Sequence, residues 1–468
     1  MSRPACSLSA LALAALLAAP AMALHAQAPA RPALVARLDS LTRDFIASAP
    51  AAGATVAVIR GSDTLFFAGV GDQDRERHLP ADRATVYRIG SITKQFTSAA
   101  IMQHVQDGRL HLTDRLGSLL PEYPAWKDVT LRQLLNHTSG IHSYTGSQAW
   151  APHMADPLSP AEVMAFVAGD TLDFAPGTSY RYNNSGYFLL GMILETVEHK
   201  PYAQIVRDRF FAPLGLRSAA YCPNAPSDPH YASGYDKRGP SLAPAQRIDL
   251  SSPFSAGALC MSVPDFLTWQ TALTSGRVVT PATYALMTTS DTVASGLRTQ
   301  YGFGLIPGVL GAHRLVEHGG GINGFNTQQL WFPDDSLRVI VFTNTLGSNP
   351  DRLAVNLARA TFGMPVVAMP KPLPAMPLAA ADRAKYEGTY DLKLPTGTIL
   401  PLRIWAEGEV VMSQAQGQGR IPLYYVGNDT FGADFDATLR LTFPIDNGKA
   451  TKVLLKQGGG TIEGARRP

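Results

Sequence analysis

The 468-residue chain is predicted to be an α/β protein: a mixed sheet flanked by helices and interrupted by an all-helical insertion, then a small C-terminal all-β barrel. Three observations predict it. Apolar, β-branched runs bounded by turn residues lie near 53–70 and again near 302–343, as strands do. Between them, from about 107 to 250, the apolar spacing is helical and broken by Pro- and Gly-containing turns, the order expected of a helical domain inserted into an α/β domain. Beyond residue 380 only short strand-like runs remain.

Composition sets the frame. With 46% hydrophobic and 16% charged residues, the chain can bury a sizeable core. A formal net charge of +3, with no basic run interleaved with aromatics, argues against a nucleic-acid partner. Partner proteins are unspecified by the sequence. At the N-terminus, Arg3, the apolar run Leu8 to Leu17 and Ala21-Met22-Ala23 form the charged, apolar and cleavage regions of a secretory leader. Residues 1–26 are therefore expected to be a signal peptide, and the mature protein periplasmic or secreted. A membrane anchor needs about 20 apolar residues; Pro20 interrupts this run, and no later stretch is long enough, so no transmembrane segment is expected. Loss of the leader removes Cys6 and leaves Cys222 and Cys260. In an oxidising compartment these two can form one disulfide, the alternative being two buried thiols.

The elements follow in order. Ala33 to Ala47 has the spacing of an amphipathic helix, with Leu34, Leu38, Leu41 and Phe45 on one side. Gly53 to Ile59 and Thr64 to Val70 form a hairpin about Arg60-Gly61-Ser62-Asp63. Thr85 to Ile89 alternates as a strand and leads into a helical pattern carrying Ala99, Met102, Val105 and Leu110. Val129 to Leu135 and Tyr187 to Val197 are the clearest helices of the insertion. Strands return at Gly302–Ile306, Arg314–Glu317, Phe325–Phe332 and Leu337–Thr343, before a closing helix at Arg352–Phe362. The α/β domain with its helical insertion thus spans 27–364. A Pro-rich linker covers 365–379, and a barrel domain 380–468 is built of strands such as Ile399–Trp405, Val410–Ser413 and Leu439–Phe443.

Chemistry-bearing residues cluster in three motifs. Ser91 sits at or just before a helix start, and Lys94 three residues later shares its face. A serine hydroxyl needs an adjacent base to act as a nucleophile, and a lysine can serve when burial disfavours its charged form. The same pair also reads as a helix cap with a solvated lysine. Tyr182-Asn183-Asn184 supplies a phenol able to move protons and an amide two residues on. Glu317 to Gly324 contains Gly319, Gly321 and Gly324 in G-x-G-x-x-G spacing. A dinucleotide loop needs a following helix, but here Phe325 to Phe332 is a strand, so no cofactor is expected. His137 and His142 lack metal-ligand spacing, and no metal site is expected.

Taken in order, Ser91-x-x-Lys94, Tyr182-x-Asn184 and His318-x-Gly320 resemble the penicillin-recognising serine hydrolases, in the branch of class C β-lactamases, esterase relatives and D-amino-acid peptidases. Leu134 to Ile141, Ala256 to Leu259 and Gly324-Phe325 are similar to further family stretches, together covering about 35–363, and Tyr386 to Tyr390 looks like the barrel often appended to such proteins. The resemblance implies a β-lactamase/transpeptidase-like fold and a small-molecule ester, amide or peptide substrate. It also implies an acyl-enzyme on Ser91, with Lys94 and Tyr182 handling the proton. Asn184, His318 and Gly320 would contact substrate, and the N–H groups of Ser91 and Gly321 would form the oxyanion hole. The departure is His318, which stands where class C β-lactamases carry lysine. A histidine is mostly neutral at pH 7, so the expectation shifts from antibiotic hydrolysis towards an esterase or D-amino-acid peptidase. A true β-lactamase and a catalytically silent cell-wall-binding protein are the alternatives.

Overall fold

The computed structural model describes residues 31–48, 51–238, 241–296, 298–367, 375–393, 399–415, 420–433, 436–457 and 460–468. The expected leader, and residues 368–374 of the expected linker, lie outside them. Helix α1 (Arg31–Ser48) is followed by strands β1 (Gly53–Arg60), β2 (Asp63–Asp74) and β3 (Leu79–Pro80). Ser91 follows on a short 3-10 turn, Gly90–Ile92, that runs directly into α2 (Thr93–Gln106). After the insertion, whose longest helix is α3 (Asn184–Glu198), come β4 (Ile306–Leu310), β5 (His313–Ile322), β6 (Phe325–Phe332), β7 (Leu337–Thr343) and α4 (Pro350–Thr361).

These seven strands form one sheet, ordered β3-β2-β1-β7-β6-β5-β4. Every neighbouring pair is antiparallel, where a mixed sheet was expected. The early and late halves of the chain meet at β1 and β7, with Val56 opposite Val341. Both faces are covered, so β1 and β7 read as continuous apolar runs. On one face Leu38, Phe45, Val58, Val339 and Leu357 join α1 and α4 to the sheet. On the other, α2 and the insertion build the larger core, where the Phe96 and Trp269 rings stack 3.8 Å apart.

The insertion is not purely helical. Ala220–Tyr221, Tyr235–Arg238 and Ser241–Pro244 are short strands; the first pairs with Leu259–Ser262 and the second with Thr345–Leu346. Their brevity hides them from periodicity. The strand expected at Gly302–Ile306 begins at Ile306 instead, because Gly304 packs against the backbone carbonyl of Lys94. Cys222 and Cys260 are both buried and unbonded, so the expected disulfide is absent here.

Residues 388–466 close an eight-stranded barrel around Tyr386, Tyr390, Phe431 and Phe443. Gly388–Lys393, Thr430–Ala433 and Gly460–Arg466 are barrel strands beyond those expected. Along Val410–Ala415 the burial alternates: Val411 enters the barrel core, while Val410 and Met412 face outward. Among the described residues, no helix is long and apolar enough to cross a membrane.

Candidate active site

The nucleophile's position is set by backbone packing. Gly90 adopts φ +52°, and a Cβ there would meet the Gly321 backbone nitrogen at 2.9 Å. Only glycine combines the left-handed conformation with that approach. The turn bearing Ser91 is thereby pressed against the end of β5, with the exposed Gly321 N–H beside it. Gly320, expected to touch substrate, is buried instead. A Cβ on it would lie 2.0 Å from the Ile89 carbonyl, so its role is to let β5 seat this turn. Thr327 Oγ1 donates to the same carbonyl at 3.0 Å.

Lys94 is fully buried. Its Nζ lies 3.0 Å from Ser91 Oγ, 2.9 Å from Asn184 Oδ1 and 2.9 Å from the Ala256 carbonyl. None of these partners is anionic. Burial alone pushes the lysine well below its usual value, since nothing offsets the lost hydration of an ammonium. A neutral amine has two hydrogens and one lone pair. In that form its hydrogens go to the two carbonyl oxygens, which can only accept, and its lone pair can receive the Ser91 hydroxyl, whereas the ammonium donates to all three oxygens.

Asn183 caps α3: its Oδ1 accepts the Gly186 N–H at 2.7 Å. This places Asn184 on the first turn, where its Oδ1 holds Lys94 and its Nδ2 donates to Thr145 Oγ1 at 3.1 Å. Asn184, expected to contact substrate, thus has both ends of its amide engaged within the protein. Tyr182 hydrogen-bonds Ser91, and its ring centroid lies 4.9 Å from Lys94 Nζ. Burial drives the phenol upward, against the lowering effect of the Ser91 bond. Tyr182 therefore keeps its proton at neutral pH and can give it to Ser91 Oγ.

His318 is buried and lies beside the Tyr182 ring. Nδ1 is 2.6 Å from the Gly319 carbonyl, which can only accept, so Nδ1 carries the proton. Nε2 then accepts from Tyr301 Oη at 2.9 Å. Burial first, and Lys94 second, push the imidazole down to about 3, against the Gly319 hydrogen bond. His318, also expected to contact substrate, is a neutral wall residue whose two nitrogens are occupied. The site has no cation at this position.

Two residues that sequence reasoning set aside or missed belong here. His137 is buried at φ +62°. Its carbonyl accepts the Arg181 N–H at 3.0 Å and its Nδ1 accepts the Asn183 N–H at 3.1 Å, so it grips the backbone on both sides of Tyr182. Its Nε2 has no hydrogen-bond partner and its ring lies 4.4 Å from each of the Tyr182 and Tyr301 rings. Tyr301 is the second, and a lone tyrosine before a Gly-Phe-Gly turn gave no signal. His142 pairs with Asp173 at 3.1 Å. Among the described residues, no group of three His, Cys, Asp or Glu could hold a metal.

A family model described as Beta-lactamase matches residues 38–363. The chain belongs to the β-lactamase family. It is 27% identical over 293 residues to a Bacillus subtilis protein provisionally named penicillin-binding protein PbpX, covering 62% of this chain and 70% of that one. A D-aminopeptidase of Gluconobacter oxydans is 27% identical, over 70% of this chain and 62% of its own length. Among solved structures, the octameric penicillin-binding protein homologue from Pyrococcus abyssi superposes with a TM-score of 0.63 at 25% identity, covering 92% of this chain and 99% of that one. The likeness thus extends over the barrel as well as the β-lactamase-like domain.

Proposed function

We propose that this β-lactamase-family protein is a secreted or periplasmic serine hydrolase, an esterase or D-amino-acid peptidase working through an acyl-enzyme on Ser91. One observation carries the reading: Lys94, buried without an anion beside it, holds its Nζ 3.0 Å from Ser91 Oγ, where its neutral form can take the hydroxyl proton. As Ser91 Oγ attacks the carbonyl carbon, its proton passes to Lys94. The carbonyl oxygen gains charge between the N–H groups of Ser91 and Gly321, and each such donor is worth about 2.7–4 kcal/mol. Collapse expels the alcohol or amine, protonated from the lysinium through Tyr182, and leaves the ester on Ser91. Water then attacks that ester, its proton passing to Lys94 and on to Ser91 Oγ, which releases the acid.

The neutral His318 favours substrates without a carboxylate at that position, which separates this reading from a true β-lactamase. The D-aminopeptidase relative supports the peptidase branch. A fluorophosphonate probe should add one label to the wild type and none to Ser91→Ala. Equal labelling of both would remove Ser91 from the chemistry and favour a silent binding protein.

A further inference from the structure

A cavity of about 420 Å³ lies between the hydrolytic domain and the barrel, within the range of about 300–1,000 Å³ typical of ligand pockets. Its roof is the outward face of two barrel strands, where Val410, Met412 and Pro422 present apolar side chains. Its floor is the end of the strand pair that carries Gly321. Asn323 occupies the β5–β6 turn, and Asn326 is paired opposite Gly321. The Asn326 amide lies 3.4 Å from the Gly320 carbonyl and accepts the Gly347 N–H at 2.6 Å. Asn323 donates to the Gln246 carbonyl at 2.9 Å and touches the Met154 sulfur. The cavity thus begins where the proposed oxyanion strand ends.

The charged side chains around it, Asp236, Lys237, Glu407 and Arg420, all have partners within the protein. Arg420 pairs with Glu407 at the barrel rim. Asp236 accepts the Gln246 and Gly324 N–H groups. Apolar groups make up most of what remains for an occupant, so a charged one would be desolvated without a counter-charge.

From this juxtaposition we propose that the cavity holds the remote end of the acyl group borne by Ser91. That end is an uncharged, apolar aryl or branched-alkyl moiety, so the barrel selects the substrate. The inference rests on the hydrolase reading above. An acyl chain bonded to Ser91 and laid along β5 past Gly321 runs towards Asn323, with Val410 and Met412 above it.

The test compares p-nitrophenyl acetate with p-nitrophenyl 6-phenylhexanoate on the full chain. It uses wild type, Met412→Trp, which fills the cavity, and Val410→Trp as a second filling variant. Circular dichroism checks that each is folded. The ratio of kcat/KM for the long ester over the short one should fall about tenfold in either variant, the equivalent of ~1.4 kcal/mol of lost binding. A ratio that stays within twofold of wild type in a folded variant overturns the cavity assignment while the hydrolase reading stands. If Ser91→Ala turns over both esters as wild type does, the hydrolase reading fails and the cavity proposal with it.

Discussion

Replacing His137 by alanine removes the side-chain grip on the Asn183 N–H beside Tyr182 and leaves the backbone bond to Arg181, Ser91 and Lys94 in place. The lost acceptor strands the buried Asn183 N–H, which costs about 1–3 kcal/mol. Stability should therefore fall by about 1–3 kcal/mol. The effect on rate comes through Tyr182, whose hydroxyl meets Ser91; a shift of about 1 Å in a positioned group can cost about a hundredfold. Asparagine separates the two effects, because it tolerates a positive φ and its Oδ1 can stand where Nδ1 stood. The assay is p-nitrophenyl acetate turnover beside a urea titration, at a temperature where each variant is folded. His137→Ala should lose about a hundredfold in kcat, and His137→Asn should recover most of it. Folded His137→Ala with kcat within threefold of wild type would refute the clamp.

Three further outcomes follow. Lys94 takes up its proton on unfolding, because its folded value lies well below 10.5; stability therefore rises with pH between those two values. The unfolding free energy of wild type minus that of Lys94→Met should climb between pH 7 and 9, by at most about 1.4 kcal/mol per unit; a flat difference would show a charged lysine. His318, held near 3 against 6.5 when unfolded, contributes stability that is present above pH 6.5 and lost as pH falls towards 3. His318→Gln should flatten that acid limb in urea titrations, and an unchanged limb would mean the imidazole is exposed. Finally, iodoacetamide on denatured, unreduced protein should modify both Cys222 and Cys260, whereas protection of both would mean they are bonded.

Much of this arrangement was legible in the chain because its motifs are local. Ser91 and Lys94 share one turn of helix, and Phe325–Phe332 and Leu337–Thr343 carry β-branched and aromatic runs with a turn between them. What escaped depends on contacts across long stretches of sequence. No periodicity joins His137 to Asn183, or Tyr301 to His318, and strands of two to four residues leave no pattern. The roles of Asn184, Gly320 and His318 changed for the same reason. Motif spacing says that these residues gather, but only packing decides whether a polar atom faces the cleft or another side chain. Asn184 turns to Lys94, His318 to Tyr301, and Gly320 makes room for Ile89.

The central claim is that a neutral Lys94 activates Ser91, and the pH dependence of Ser91 acylation tests it most directly. The second-order rate of fluorophosphonate labelling, read by intact mass, should rise with pH through one inflection well below 10.5 and then hold level, and Lys94→Met should abolish that rise. An inflection near 10.5, the value of an ordinary solvated lysine, or the same profile in Lys94→Met, would contradict the account.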